Sequence, residues 1–190
     1  MSRFIFIRHG ETAMAGKFCG HSDPDLNLSG EQQIVSVADV VASLGVGRIY
    51  SSDLLRASRT AEEISRRIGI RFESRQDLRE IYFGEWEGLC WHEIEDRYPD
   101  EARRWVDEFP ARCVPGGESY AAFTARIDLA MRSLFLEASV TTAIVTHRGV
   151  MRYALTQHFD LTEEEASIKT ASYGAVVIAK HRQCECGVLS

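Results

Sequence analysis

The chain has 190 residues, 45% of them hydrophobic and 26% charged, and its formal net charge at pH 7 is -6. These values are typical of one globular domain covering 1–190, and the acidic balance argues against a nucleic-acid or anionic-membrane partner while allowing a locally basic pocket. No apolar stretch approaches the roughly 20 residues of a membrane span, and the N-terminal apolar run is too short for a signal peptide.

The cysteine pattern predicts no disulfide framework. The five cysteines are odd in number and scattered along the chain, which favours a reducing compartment, the cytoplasm. Cys184 and Cys186 lie close to His181 near the C-terminus, but a structural zinc ion takes about four such ligands and no second cluster accompanies them. We therefore expect no metal and no other cofactor.

Strands and helices alternate along the predicted chain. The apolar run at 4–7 predicts a buried strand, and the helix that follows it is expected to begin at a Ser29 cap. A strand at 46–50 then leads to a second helix, for which the candidate caps are Ser51, Ser52 and Asp53. The remaining predicted elements are a short strand at 72–74, helices at about 91–97, 100–108 and 120–137, a strand at 142–146, a helix ending at 158 and a strand at 175–179.

This order of elements predicts an α/β fold. We expect a three-layer sandwich with a mostly parallel central sheet covered by helices on both faces. The stretch 82–114 interrupts the alternation and holds all three tryptophans. It is expected to be a small helical insertion that forms a lid and specificity wall. The alternative is a helical subdomain whose aromatic side chains form their own small core.

Arginines and histidines follow the predicted strands. Arg8 and His9 come directly after the first strand, His147 follows the strand at 142–146, and Arg56 lies early in the helix after the second strand. Ligands of open α/β sheets bind beyond the carboxyl ends of strands, where helix N-termini also favour anions. Because arginine forks bind oxyanions and no Walker loop or Asp/His cluster accompanies them, the pattern predicts a phosphate or carboxylate site held by protein cations.

Five motifs resemble those of the histidine phosphatase superfamily, also called phosphoglycerate mutase-like. In chain order they are FIRHGET, YSSDLLRASRTA, LREIYFGEWEG, PGGES and VTHRG. The resemblance implies that His9 attacks phosphorus and forms a phosphohistidine, while Glu80 donates the proton to the leaving group. It also implies that Arg8, Arg56 and His147 bind the phosphate. His147 is counted with His9 and Glu80 as a catalytic residue.

Other positions have two readings each. Thr12 would lie in the loop over the phosphate, either as a hydroxyl donor or as a cap. Arg148 would reach either the substrate or solvent. Glu85 and Glu87 are alternative acids if Glu80 is not the proton donor.

The first loop bears on the branch of the family. Many members have an asparagine and a glutamine where this chain has Ala15 and Cys19, so two polar contacts to phosphate or substrate are expected to be missing. The stretch GKFCGHSDPDLNLSG resembles the loop of the alpha-ribazole phosphatase branch, in which a Gly-His pair corresponds to Gly20-His21. The substrate-pocket candidates are therefore Cys19, Gly20, His21 and Arg148.

The resemblance implies a metal-independent phosphomonoesterase that acts on a small phosphorylated metabolite. The alpha-ribazole branch suggests alpha-ribazole 5'-phosphate, a compound of cobalamin biosynthesis, as substrate. A homodimer is a separate expectation for the assembly. A broad-specificity phosphatase and a phosphoglycerate mutase are alternatives, the mutase disfavoured because the chain has little room for the extra segment of those enzymes. A phospholigand-binding pseudoenzyme is a further alternative, but His9, Glu80 and His147 together argue against it.

Overall fold

A five-stranded sheet occupies the centre of the computed structural model, which describes residues 3–180. Within these residues the strands are β1 (Arg3–Arg8), β2 (Arg48–Ser52), β3 (Phe72–Arg75), β4 (Thr142–Thr146) and β5 (Val176–Lys180). Their order across the sheet is β3-β2-β4-β1-β5. All neighbouring pairs are parallel except β1 with β5. The predicted α/β fold with a mostly parallel sheet is confirmed.

Helices cover both faces of this sheet. Within the same residues they are α1 (Leu28–Ala42), α2 (Leu55–Ile68), α3 (Trp91–Arg97), α4 (Pro99–Glu108), α5 (Tyr120–Glu137), α6 (Arg148–His158) and α7 (Glu163–Lys169). Within this part of the chain no helix is long and apolar enough to cross a membrane. The cysteine pair Cys184 and Cys186 lies outside the described residues.

The apolar character of β1 follows from burial on both sides. Successive residues of a strand face opposite sides of a sheet. Phe4 and Phe6 pack with α5, α6 and α7 in one core, whereas Ile5 and Ile7 pack with α1 and α2 in the other. All four side chains are completely buried, and burial of each contributes about 1.5–3 kcal/mol to folding.

The starts of two helices differ from the sequence-based predictions. Asn27, and not Ser29, caps α1, because its side-chain oxygen accepts a hydrogen bond of 2.8 Å from the Gly30 amide. At α2 the cap residue is Leu54, which offers no side-chain hydrogen bond. Ser51 and Ser52 belong instead to β2. The helix α7 was not predicted.

The tryptophan-rich stretch has a small core of its own. Trp86, Ile94, Ala102 and Val114 are buried together, and the partly buried rings of Phe18, Phe83, Trp91, Tyr98 and Trp105 pack against them. This arrangement agrees with the alternative reading of 82–114 as a self-packed helical subdomain. Whether it also acts as a lid stays a prediction.

Candidate active site

Two histidines meet where β1 and β4 end. The strands are parallel neighbours in which Arg8 pairs with Thr146, so the residues that follow them leave the sheet side by side. The rings of His9 and His147 have centroids 5.0 Å apart, and both are buried. The sequence predicted that these two histidines, each following a strand, would meet at one edge of the sheet, and the structure confirms this.

His9 is held as a neutral imidazole with one unprotonated ring nitrogen. Its Nδ1 lies 2.7 Å from the carbonyl oxygen of Gly10; because a carbonyl only accepts, Nδ1 carries the proton and Nε2 carries the lone pair. Burial, followed by the positive charge of Arg56, lowers the pKa of His9 well below its usual value. A neutral ring with Nε2 free of its proton is the nucleophilic form of histidine.

Arg56 lies at the site but uses most of its donors on the protein. Its Nε is 3.3 Å from Nε2 of His9, and the side chain is almost fully buried. The terminal nitrogens donate to the carbonyl oxygens of Ser22 at 2.7 Å and Gly20 at 2.8 Å. Its charge therefore acts on the site, while its fork holds the loop 19–22 in place.

Arg8 and His147 each present a buried nitrogen without a protein partner. Arg8 donates through Nη1 to the carbonyl oxygens of Thr170 and Ala171, and its guanidinium carbon lies 3.9 Å from the centre of the Tyr173 ring. His147 contacts the Ser52 hydroxyl through Nε2 at 2.9 Å. Within residues 3–180, Arg8 Nε and His147 Nδ1 are buried and have no hydrogen-bond partner.

Such unpartnered groups are costly unless a ligand satisfies them. A buried polar group without a hydrogen bond costs about 1–3 kcal/mol. Arg8 lines the same cavity as His9, and the His147 ring is 5.0 Å from the His9 ring. Burial lowers the pKa of Arg8 without removing its charge. Within the described residues no group of three or more His, Cys, Asp or Glu side chains is arranged to hold a metal ion. The donor set is that of an oxyanion site.

Glu80 is a buried carboxyl group at the edge of this site. Its two oxygens accept hydrogen bonds from the amides of Ile81 at 3.0 Å and Gly149 at 2.9 Å. Burial raises the pKa of Glu80, and these hydrogen bonds oppose that rise. A side chain at Gly149 would place its Cβ 2.3 Å from Oε1 of Glu80. The glycine of the VTHRG motif therefore makes room for the acid.

We expected the first amides of α2 and α6 to point at the anion site. In the structure, one amide at the start of each helix instead donates to a carboxylate of the protein. The Gly149 amide, in the first turn of α6, donates to Glu80. The Leu55 amide, at the start of α2, donates to Asp23 at 2.6 Å. Negative carboxylates of the protein take these positions because they, too, are stabilised by helix N-termini.

The remaining candidate residues are divided between the cavity and its support. A cavity of about 340 Å³ over His9 is lined by Thr12, Cys19 and Arg148, but not by Gly20 or His21. The Thr12 hydroxyl accepts a hydrogen bond from the Met14 amide at 3.2 Å. This contact agrees with the interpretation of Thr12 as a capping residue. The placement of Gly20 and His21 does not favour their assignment to the substrate pocket.

Gly20 and His21 instead belong to a loop that Glu87 anchors. The Glu87 carboxylate accepts from the amides of Gly20, His21 and Ser22 at 2.9–3.1 Å and from Phe83 at 3.1 Å. A Cβ at Gly20 would lie 2.1 Å from a backbone oxygen, so only glycine fits. Burial would raise the pKa of Glu87, but hydrogen bonds from Ser22 and His21 outweigh burial and lower the pKa. This ionised anchor is a poor proton donor.

Replacing Glu87 with alanine is expected to loosen the loop that holds Arg56. Several partly buried amides lose a charged acceptor, which we expect to lower the free energy of unfolding by about 2–3 kcal/mol and to reduce kcat. Glu85 is the matched control, because it is an exposed acid two positions away, and Glu85→Ala should change stability by less than about 0.5 kcal/mol. Chemical denaturation of both variants tests this; equal midpoints would contradict the anchoring role.

Tyr173 is a cavity residue that sequence reasoning missed. It lines the cavity over His9, and its ring centroid lies 5.6 Å from that of His9. It precedes β5, which is antiparallel to β1, so β5 starts at the edge where the parallel strands end. A prediction that β5 is antiparallel would have placed Tyr173 at this edge.

A second cavity of about 620 Å³ adjoins the first. Phe18, Phe83 and Arg148 line both cavities. The insertion contributes Trp105, Phe109 and other side chains to the wall of the second cavity. A group bonded to a phosphoryl at His9 would find space there.

Comparison with known proteins agrees with this geometry. The family model of the histidine phosphatase superfamily (branch 1) matches residues 4–190. Phosphoserine phosphatase 1 of Hydrogenobacter thermophilus is 32% identical over 160 residues, which are 80% of this chain and 74% of that protein. Glucosyl-3-phosphoglycerate phosphatase of Mycolicibacterium vanbaalenii is 36% identical over 143 residues, 74% of this chain and 60% of that protein.

Some curated relatives are longer than this chain, which spans 35% of a bifunctional protein of Mycobacterium tuberculosis. Among solved structures, the alpha-ribazole phosphatase from Shigella flexneri has a TM-score of 0.84 at 22% identity, with 95% of this chain and 91% of that chain covered. The two proteins therefore share a fold.

Proposed function

Since the chain belongs to the histidine phosphatase superfamily (branch 1), we propose that it is a phosphatase that hydrolyses a small phosphorylated metabolite through a phosphohistidine at His9. One observation carries the proposal: Arg8 Nε and His147 Nδ1 are buried without partners near a histidine whose unprotonated Nε2 accepts a hydrogen bond from Arg56. A phosphoryl group offers the oxygens that these nitrogens lack.

In the first step, the lone pair on Nε2 of His9 forms a bond to phosphorus while the bond from phosphorus to the leaving oxygen breaks. Arg8 and Arg56 stabilise the charge on the phosphoryl oxygens, and this electrostatic effect supplies much of the acceleration. Glu80, whose pKa is raised by burial, gives its proton to the leaving oxygen. The product alcohol departs and the phosphohistidine remains.

In the second step, a water molecule replaces the alcohol. Glu80, now ionised, accepts a proton from this water as its oxygen attacks phosphorus, and the bond from phosphorus to Nε2 breaks. Inorganic phosphate leaves, His9 is neutral again and Glu80 is again protonated. One buried carboxyl group thus serves as the acid and then as the base.

The aromatic cavity supports a flat leaving group, and alpha-ribazole 5'-phosphate is the named candidate of this kind. The loop GKFCGH also supports it, although Gly20 and His21 lie outside the cavity wall. A bound ring should add roughly a hundredfold in kcat/KM through stacking and apolar contact. A broad-specificity phosphatase would instead have a flat profile, and a mutase would transfer the phosphoryl group of 3-phosphoglycerate without releasing it.

Phosphate release by the purified chain tests the proposal. We expect hydrolysis of alpha-ribazole 5'-phosphate, 3-phosphoglycerate and p-nitrophenyl phosphate to continue in EDTA, because the cations at the site are protein side chains. Vanadate, which mimics five-coordinate phosphorus, should inhibit. Loss of activity in EDTA that returns with added magnesium or zinc would contradict the metal-independent mechanism. Complete inactivity on all phosphate esters would favour the phospholigand-binding alternative.

A further inference from the structure

The cavity beside the phosphate site is lined mainly by aromatic rings. They include Tyr82, Phe83, Trp105, Phe109 and Tyr120. A cavity wall with so many aromatic rings favours a flat or apolar ligand group that packs against their faces and edges. The shape and the walls alone would therefore suit an uncharged ring.

The two glutamates in this cavity wall are already neutralised. Glu118 accepts two hydrogen bonds from Arg126, at 3.0 Å and 2.7 Å, and Arg126 does not line the cavity. Glu163 accepts from Arg152 at 3.3 Å. Neither carboxylate remains to balance the other charges of the wall.

Two arginines of the wall have no such partner. Arg112, which is half-buried, and Arg148, which is exposed, both line the cavity. Within residues 3–180 neither one has a carboxylate within salt-bridge distance. In a chain with a net charge of -6, this is a local excess of positive charge.

The two arginines differ in their distance from the chemistry. Arg148 lines both cavities, so it is close to the phosphoryl group. Arg112 lines the aromatic cavity but not the cavity over His9. Its planar fork is suited to a carboxylate or phosphate. Arg112 is therefore placed to contact the part of a leaving group that lies away from the reacting phosphoryl.

We propose that the leaving group is an aromatic or apolar group that carries its own oxyanion, a carboxylate or a second phosphate, and that Arg112 binds this oxyanion. The inference rests on the proposed phosphatase function and narrows its substrate class. It ranks acid-bearing leaving groups above those without an acid, such as that of alpha-ribazole 5'-phosphate. Arg112 becomes a specificity-determining residue.

A matched pair of esters tests this assignment. The esters are 2-(4-carboxyphenyl)ethyl phosphate and its carboxamide, which share the same linker and ring but differ in charge. We expect kcat/KM to favour the acid by about tenfold or more, since a charge-assisted hydrogen bond is strong in a partly buried site. Arg112→Gln should bring the ratio close to one, mainly by weakening the acid ester.

Two further variants separate charge from folding and from general electrostatics. Arg112→Lys keeps the charge without the fork and should give an intermediate ratio. Arg104→Gln removes an exposed arginine of α4 that lines neither cavity, and it should leave the ratio unchanged. A ratio near one in the wild-type protein overturns the inference, as does a preference that persists in Arg112→Gln.

Binding separates this inference from the proposed function. The same two esters are titrated by calorimetry against the His9→Ala variant, which should not turn them over. Tighter binding of the acid that is lost in the double variant His9→Ala/Arg112→Gln supports the inference, even if the wild-type protein hydrolyses neither ester. Equal binding of acid and amide overturns it, even if both esters are hydrolysed.

Discussion

Replacing His9 with alanine is expected to lower kcat by about 10⁴-fold or more, because it removes the atom that forms the bond to phosphorus. The remaining arginines can still bind an anion, so we expect phosphate or vanadate to bind with reduced affinity. His9 lies on the rim of the sheet and belongs to neither of the main apolar cores. The fold should therefore persist.

The covalent intermediate gives a direct measurement. A phosphoryl group bound to nitrogen is labile in acid and stable in alkali, so it should be trapped on the wild-type protein and absent from His9→Ala. His92→Ala is the control, because His92 is an exposed histidine on α3 and should retain full activity. Near-native turnover in His9→Ala, with an unchanged circular dichroism spectrum, would refute the mechanism.

Elements with strong boundaries in the sequence were predicted to the residue. The long helix at 120–137 follows a Pro-Gly-Gly turn, and its cap Ser119 accepts from the Ala122 amide at 3.1 Å. The strand at 142–146 is bounded just as clearly, by His147 and the glycine after Arg148. In both elements, local chemistry and hydrophobic pattern agree, so tertiary contacts have little to change.

Polar residues near the site were harder to place. Ser51 and Ser52 were expected to cap a helix, since short hydroxyl side chains favour that position. In the structure they form the last two residues of β2, at the edge of the sheet that carries the candidate active site, and the Ser52 hydroxyl contacts His147 there. A contact between residues so far apart in the chain overrides a local preference, and no single stretch of sequence contains it.

The environment of the arginines is likewise a tertiary property. Arg8 donates a side-chain hydrogen bond to the carbonyl oxygen of Thr170, which lies 162 positions away in the sequence. Thr170 is the first residue after α7. Residue type and strand position predicted that Arg8 and Arg56 would reach this edge. They could not predict that Arg56 would use its fork on the loop 19–22, because that contact depends on how Glu87 fixes the loop.

Glu80→Gln is expected to slow alkyl and sugar phosphates by about 10²–10⁴-fold and p-nitrophenyl phosphate far less. An alkoxide leaving group needs a proton, whereas nitrophenolate is stable as an anion. Burial raises the pKa of Glu80 above its usual value, and burial with Arg56 lowers the pKa of His9. Activity on alkyl esters therefore needs a pH above the pKa of His9, where His9 is neutral, and falls as pH rises through the pKa of Glu80.

That alkaline fall should disappear in Glu80→Gln, and the ratio of wild-type to variant rates at each pH cancels the ionisation of the substrate itself. Gly149→Ala provides an independent route to the same defect, because the added Cβ would lie 2.3 Å from Glu80 Oε1 and must displace the carboxyl group. Both variants should show the same dependence on the leaving group.

Equal losses on alkyl and aryl esters would show that Glu80 is not the acid or that dephosphorylation of His9 limits turnover. Glu85→Gln separates these outcomes: a selective loss on alkyl esters in that variant would move the role to Glu85, since Glu87 is already ionised by the amides it holds.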